Sequence, residues 1–415
     1  MTSSLPRSLA QAPWLRHGPL PRLLKVLDAE GEEARVIGGA VRNALLSETP
    51  QEFDIATTAV PETVMSRAAK AGFKSIPTGV EHGTVTVVVD GAPFEVTTLR
   101  RDVETFGRKA KVRFGRDWKA DAERRDFTIN ALSVSREGEL HDYVGGLADI
   151  AARRVRFIGE PRQRIREDYL RILRFFRFHA AYGEGAPDPA GLAAAIAERE
   201  GLAQLSRERV RMEWMKLLVA PGAVPTLEVM ADAGFVSSLL ASVPQVIQTG
   251  RLVGLEANLG LAPDPIRRLA VLAVQVTEDA ERLLQRLRLS NVEYERLRSM
   301  ADRWWRIAPD LSEKAARALL YALGPDRFLD RVLYAWARCG AAVDAPAWRT
   351  FADLPTRWTA PRFPLRAADF LRRGLVPGPG LGRALARAEE AWIAADFPEE
   401  RREIEGIADA AAAAP

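Results

Sequence analysis

The sequence predicts an α+β protein: a small mixed β-sheet head over about residues 1–150, then all-α segments to the C-terminus. Three observations predict it. Short β-type runs bounded by Gly and Asp turns occur only in the first third of the chain. From Glu160 onward, apolar residues recur with helical periodicity. Pro- and Gly-rich turns such as Gly183 to Pro189 and Pro377 to Gly382 then divide one helix from the next. With 415 residues, 47% of them hydrophobic, the chain can fill several cores. The expected division is a head at 1–150, a helical neck at 151–220, and a helical body and tail at 221–415.

A short amphipathic helix is expected around Pro21 to Ala29. Residues 34–39 (Ala-Arg-Val-Ile-Gly-Gly) read as a strand running into a Gly-Gly turn, with a helix from about Ala40. Further strands are expected at Phe53 to Ala56, Gly83 to Val89 and Pro93 to Leu99, the last two joined at Asp90-Gly91. No internal repeat is evident. The Ala-rich end, Ala408 to Pro415, is expected to fray.

Composition excludes several classes. No run of 18 apolar residues occurs, and the segment from Thr2 to Pro13 lacks a signal-peptide core, so no membrane partner and a cytoplasmic location are expected. A single cysteine, Cys339, excludes an intramolecular disulfide framework and a Cys-rich zinc site, and no disulfide-linked partner is expected. His17, His82, His141 and His179 lack metal-ligand spacing. The pair His141-Asp142 has the form that metal phosphohydrolases use, but no second histidine is near in sequence. The net charge of +4, from 59 basic and 55 acidic residues, permits a nucleic-acid partner without requiring one.

Gly38-Gly39 puts two glycines where a strand turns into a helix, so backbone N–H groups can face a phosphate, with Arg42 adding charge-assisted bonds. The plainer alternative is a simple turn. In Glu52-Phe53-Asp54-Ile55 the acids are two apart on a strand, so both carboxylates are expected on one face while Phe53 and Ile55 turn to the core. Like charges on one face repel unless a cation lies between them; the alternative is a solvated edge strand. Glu95, between Phe94 and Val96, supplies a third carboxylate. Three converging carboxylates would suit Mg²⁺, which prefers oxygen ligands and is completed by water and substrate phosphates.

Six blocks in order now resemble the bacterial-type (class II) tRNA CCA-adding enzyme and poly(A) polymerase family. They are Gly38-Gly39-Ala40-Val41-Arg42, Asp54-Ile55-Ala56-Thr57, Gly83-Thr84-Val85, Glu95-Val96-Thr97-Thr98-Leu99-Arg100, Arg124-Arg125-Asp126-Phe127-Thr128-Ile129-Asn130-Ala131, and Glu167-Asp168-Tyr169-Leu170-Arg171-Ile172-Leu173-Arg174. The likeness continues loosely through Glu208-Arg209-Val210, Glu213 and Lys216 to Pro377-Gly378-Pro379-Gly380. The resemblance implies a nucleotidyltransferase head that adds C, C and A to the tRNA 3′ end from CTP and ATP. It implies Mg²⁺ at Glu52, Asp54 and Glu95, and nucleotide contacts from Gly38, Gly39, Arg42, Arg125, Asp126, Asn130, Asp168, Arg171 and Arg174. Asp142-Tyr143-Val144-Gly145-Gly146 resembles the family's hinge between head and neck, with Tyr143 where proline is common.

Base choice can be argued from chemistry. The Glu167 to Arg174 segment reads as a helix, on which Asp168 and Arg171 are i and i+3 and sit side by side. Cytosine and adenine each present an amine beside an unprotonated ring nitrogen, which an Asp acceptor and an Arg donor match; uracil and guanine reverse both polarities. The alternative is an intrahelical Glu167–Arg171 ion pair. Arg124 and Arg125 could likewise be a surface cluster. Two positions depart from the family pattern: Glu52 where Asp is usual, and Asn43 where the glycine block commonly ends in Asp. Gly378-Pro379-Gly380-Leu381-Gly382 suggests a nucleotide loop, but with no strand before it the reading is a turn that starts a helix near the RNA path. Poly(A) polymerase, CC-only or A-only addition, the last two depending on the segment around Arg101 to Lys119, and a noncatalytic RNA-binding protein remain as alternatives.

Overall fold

The structure is a computed structural model; it describes residues 8–106 and 109–414, apart from the side chains of residues 101–112. Two compact units divide after Phe235. In the first, two short helices, α1 (Pro13–Arg16) and α2 (Pro19–Leu27), lead into β1 (Ala34–Ile37), α3 (Gly39–Leu45), β2 (Asp54–Thr57), α4 (Pro61–Lys70), β3 (Lys74–Gly79), β4 (Thr84–Val89) and β5 (Ala92–Thr98). There follow β6 (Arg100–Phe106), β7 (Lys109–Phe114), α5 (Trp118–Glu123), β8 (Ser133–Ser135), β9 (Leu140–His141) and α6 (Gly146–Ala151). Helices α7 (Pro161–Glu167), α8 (Leu170–Tyr182), α9 (Pro189–Ala197), α10 (Arg207–Leu218) and α11 (Ala223–Asp232) complete the unit.

Seven strands form one mixed sheet in the order β3-β4-β5-β2-β1-β8-β9, and β6 pairs with β7 in a separate ladder. Strands β2 and β5 run parallel, whereas β1 is antiparallel to both β2 and β8. The alternation on β4 buries Val85, Val87 and Val89, and β5 adds Phe94 and Val96. Helix α2 covers this core with Leu20, Leu23, Leu24 and Leu27, all buried, and α4 adds Val64 and Ala68. The Asp90-Gly91 link has positive φ at both residues, as a two-residue hairpin requires. Strand β3 escapes sequence reading because it is a largely exposed edge that contains Pro77 and slips register between Ile76 and Gly79.

Two expectations need correction. Residues 167–174 do not form one helix: α7 ends at Glu167, and Asp168 is extended (φ −156°, ψ 106°) before α8 begins at Leu170. The Ala-rich end does not fray through Ala413, because the helix Arg401–Ala413 buries Ala408 and Ala411 against Phe370, Ala384 and Ala388. Alanine is the best helix former, and its small side chain permits this close packing. Residues Gly378-Pro379 do start a helix, Pro379–Ala394, with proline in the first turn.

The second unit, from Val236, is helical throughout its regular elements. Its core includes Leu272, Leu283, Leu297, Val332 and Trp336. A buried ionic cluster ties four of its helices: Glu256 accepts from Arg267 and Arg268, and Asp330 accepts from Arg267 and Arg296. Each charge there has a partner, as burial demands.

Candidate active site

The sheet brings the acidic residues together at one strand end. Because β1 is antiparallel to β2 and β5 is parallel to it, Ile37 and Glu95 are the two register partners of Asp54. Gly38 therefore lies on one side of Asp54 and Glu95 on the other. Glu52 precedes β2 rather than sharing it, and its turn is held by Phe53, whose ring packs on Trp14 at 5.2 Å; Ile55 alone of that pair enters the main core. A cavity of about 590 Å³ is lined by Glu52, Asp54 and Glu95 together. Partial burial raises the Asp54 pKa, the carboxylates of Glu95 and Glu52 raise it further, and Arg125 opposes them. Among the described residues no three His, Cys, Asp or Glu side chains are gathered closely enough to hold a metal unaided.

On the other side of Asp54, Gly38 has φ +68° and ψ −122°, a conformation that only glycine adopts readily. A Cβ on Gly38 would lie 3.7 Å from the Arg125 guanidinium, so the turn and the cation are neighbours. Arg125 is anchored at 3.1 Å by Asp121, which also takes Arg124. Asp121 is itself buried, and against that burial Arg125 and Arg124 hold its carboxyl below the usual range. The Arg124-Arg125 pair is thus a built feature and not a loose surface cluster.

Arg42 sits elsewhere than expected. It is buried, stacked 3.9 Å over the Tyr182 ring, and it donates to Asn43, Asn130 and the Tyr182 hydroxyl. Its guanidinium is committed to the frame beneath the glycine turn. Asn130 in turn donates to Asp126 at 3.1 Å, and Asp126 accepts from Arg174 at 2.7 Å. Against its burial, Arg174, Asn130 and the Phe127 amide lower the Asp126 pKa. Arg174 also approaches Glu213 at 3.8 Å, which Arg177 engages at 2.5 Å. Asp126, Asn130 and Arg174 are therefore joined in one chain of hydrogen bonds with Arg42.

Asp168 and Arg171 flank the α7–α8 break with separate partners. The Asp168 carboxylate accepts from Arg209 at 2.6 Å and from the Leu170 amide at 3.1 Å. Arg171 meets Glu167 at 2.5 Å and the Arg164 carbonyl at 2.6 Å, so the Glu167–Arg171 ion pair forms, but across the break between α7 and α8 and not within one helix. That pair is compatible with base reading, since a guanidinium has five N–H donors. Sequence reasoning missed Arg209 as the holder of Asp168; its only signal was its place in Glu208-Arg209-Val210. It missed Asp121 and Tyr182 altogether. Asp142 proves to be a turn builder that accepts from the amides of Val144, Gly145, Gly146 and Leu147, which accounts for the His-Asp pair without a metal. The segment Arg101 to Lys119 forms β6, β7 and the start of α5, though residues 107–108 and the side chains of 101–112 lie outside the described residues.

Register-paired carboxylates beside a glycine turn and an anchored arginine are an arrangement that suits nucleotide transfer, and the class this strand end points to is nucleotidyltransferase. Comparison narrows it. Residues 34–156 match the family model described as the Poly A polymerase head domain, and residues 187–246 match the probable RNA and SrmB-binding site of polymerase A. The CCA tRNA nucleotidyltransferase 1, mitochondrial, of Danio rerio is 33% identical over 92% of this chain and 88% of its own length. The CCA-adding enzyme of Limosilactobacillus fermentum is 30% identical over 88% of this chain and 90% of its own. Among solved structures, the Bacillus stearothermophilus CCA-adding enzyme in complex with CTP superposes with a TM-score of 0.73 at 27% identity, covering 93% of this chain and 95% of that one. The chain belongs to the CCA-adding tRNA nucleotidyltransferase family. Among the described residues no helix is long and apolar enough to cross a membrane.

Proposed function

We propose that this enzyme adds C, C and A in turn to the 3′ end of tRNA, using CTP and ATP. The observation that carries the reading is the register of Asp54 opposite Glu95, with Gly38 and Arg125 on the far side of Asp54. Relatives matched over nearly the whole chain bear the CCA-adding name, which supports this reading over a general poly(A) polymerase. The all-oxygen, open-sided donor set fits Mg²⁺, and a divalent cation would relieve the repulsion from Glu95 and Glu52 that adds to burial in raising the Asp54 pKa. Asp54, Glu95 and Glu52 would hold it; when bound, it supplies a more acidic RNA 3′-hydroxyl and neutralises charge on the departing pyrophosphate.

The chain's own residues do the rest. The Gly38-Gly39 turn and Arg125 hold the triphosphate. Asp126, Asn130 and Arg174 position the ribose and the neck, with Arg42 bracing them from below. Asp168 accepts the amine of C or A, and Arg171 donates to the ring nitrogen. The 3′-oxygen forms its bond to the α-phosphorus as the α–β bridging bond breaks, pyrophosphate keeps the electron pair, and the hydroxyl proton passes to water. The helical body and tail bind the tRNA, and a chain with a single, unpaired cysteine, Cys339, suits a cytoplasmic enzyme. The test is incubation of purified protein and Mg²⁺ with tRNA transcripts ending before CCA, after C and after CC, each NTP given separately. Addition of C, C and then A is expected; no addition refutes the reading, and long A tracts point to poly(A) polymerase.

A further inference from the structure

We propose that Trp14, resting on Phe53, is the stacking platform for the terminal base of the incoming RNA 3′ end. The inference rests on the function proposed above and deepens it. The cavity that contains Glu52, Asp54 and Glu95 has a second wall from the N-terminal helices, with Trp14, His17 and Leu20 facing β5. Trp14 is only half-buried, and its ring lies 5.2 Å from that of Phe53 at 42°. Both rings also line a second cavity of about 600 Å³, bounded by Leu9, Pro13 and Pro50, so the pair forms a ridge between two spaces. A half-exposed indole standing next to a set of carboxylates is not needed to fill the head's core, which Leu20, Leu23, Val85 and Val96 already occupy.

The strand order says which substrate meets this ridge. Across the sheet end the sequence is Gly38 after β1, Asp54 on β2 and Glu95 on β5. The triphosphate belongs on the Gly38–Arg125 side. In-line displacement places the attacking oxygen opposite the leaving pyrophosphate, so the RNA 3′-hydroxyl arrives from the Glu95 side, where the Trp14 cavity opens. A flexible single-stranded end needs something to hold its last base so that its hydroxyl meets the α-phosphorus. An aromatic face does this for any base, since every base has a π-face. That tolerance is what the reaction demands, because the terminal base changes at each addition.

The experiment compares tRNA ending before CCA with the same tRNA carrying an abasic terminal nucleotide, measuring kcat and KM for CMP addition. Wild type, Trp14→Leu and Trp14→Phe are used; leucine keeps apolar packing on Phe53 but offers no aromatic face. The abasic end should raise the wild-type KM for tRNA about ten-fold, a typical value for one base–aromatic stack. Trp14→Leu should raise the KM for intact tRNA by a similar factor and respond little to loss of the base. Trp14→Phe should retain most of the wild-type behaviour, and KM for CTP should be unchanged in all three. The idea is overturned if Trp14→Leu keeps the wild-type KM, or if it suffers the full abasic penalty as well. Wild-type protein also gives a test that needs no variant: 4-thiouridine at the tRNA terminus should photo-cross-link within the peptide Ser8 to Arg16, and a cross-link confined to other peptides overturns the proposal. A wild type that adds no CMP would instead overturn the CCA-adding reading itself.

Discussion

Replacing Asp168 by alanine should change which nucleotide the enzyme accepts, and the structure sets the scale. The Asp168 and Arg171 side chains are only 18% and 15% exposed, so a mismatched base leaves polar groups unpaired in a largely dry site. UTP creates two mismatches, a carbonyl facing Asp168 and a ring N–H facing Arg171. At about 1–3 kcal/mol for each unsatisfied group, the pair should cost about 4 kcal/mol, or on the order of 10³ in the CTP-to-UTP ratio of kcat/KM. Asp168→Ala removes one of the two penalties, so the ratio should fall by roughly 30-fold. The assay is single-nucleotide incorporation on tRNA ending before CCA with CTP or UTP, and on tRNA ending in CC with ATP or GTP. Arg209 loses its partner in this variant, so part of the protein could unfold; the ratio is immune, because both rates come from one preparation. Arg209→Ala should weaken discrimination less, since Asp168 keeps its carboxylate and its bond from the Leu170 amide. An Asp168→Ala enzyme with the wild-type ratio would refute the base-reading role.

Asp54→Asn should lower kcat by on the order of 10³ while leaving the fold intact, checked by CMP incorporation and thermal melting. Because Asp54 has a raised pKa in the fold, its ionised form is destabilising, so metal-free wild type should gain stability as pH falls through the Asp54 ionisation. The melting-temperature gain from added Mg²⁺ should accordingly be larger at neutral than at acid pH, and absent in Asp54→Asn; a pH-independent gain would argue against a metal there. Arg42→Met should cost about 3 kcal/mol in urea unfolding, because it strands the polar groups of Asn130, Asn43 and Tyr182. A variant of wild-type stability would show that those groups find other partners. Asn43→Asp should gain up to about 1 kcal/mol, since Asn43 already accepts two bonds from Arg42 and a carboxylate would turn them into a two-bond ion pair; a lower melting temperature would contradict this.

The head was legible because its signals are local. Val85, Val87 and Val89 alternate, Asp90-Gly91 marks a hairpin, and Gly38 sits where the chain needs positive φ. Asp54 and Glu95 are 41 residues apart by number, yet each lies in a β-run, so a shared sheet was a reasonable expectation. What sequence could not give was pairing across elements. Nothing local joins Asp168 to Arg209 or Arg42 to Tyr182, since both depend on how α8 and α10 pack against their neighbours. The helical reading of residues 167–174 failed for a related reason. Periodicity continues across Asp168, whose extended backbone is stabilised by accepting the Leu170 amide, a local side-chain bond that competes with the helix. The alanine end was misjudged by composition, which is silent about Phe370 and Ala388 waiting to cover it.

The chain of contacts from Tyr182 through Arg42, Asn130, Asp126 and Arg174 to Glu213 bears on how chemistry and choice are linked. Near one end it braces α3, which begins at the Gly38-Gly39 turn proposed to receive the phosphates. At the other it grips α8 three residues beyond Arg171, and α10 four residues beyond Arg209. Its members are largely buried and mutually satisfied, so moving one group strands its neighbour and costs about as much as breaking a buried hydrogen bond. The phosphate turn and the base-reading pair are thereby set at a fixed separation within the proposed site. On the proposed reading, a base that satisfies Asp168 and Arg171 would place its α-phosphate where the 3′-hydroxyl can attack. One that does not must shift outward, and a displacement of about 1 Å can cost on the order of 10² in rate. Discrimination against U and G should therefore be larger in kcat than ground-state binding of the free nucleotides would suggest. Equal UTP and CTP discrimination in equilibrium binding and in kcat/KM would show that the frame contributes nothing beyond affinity.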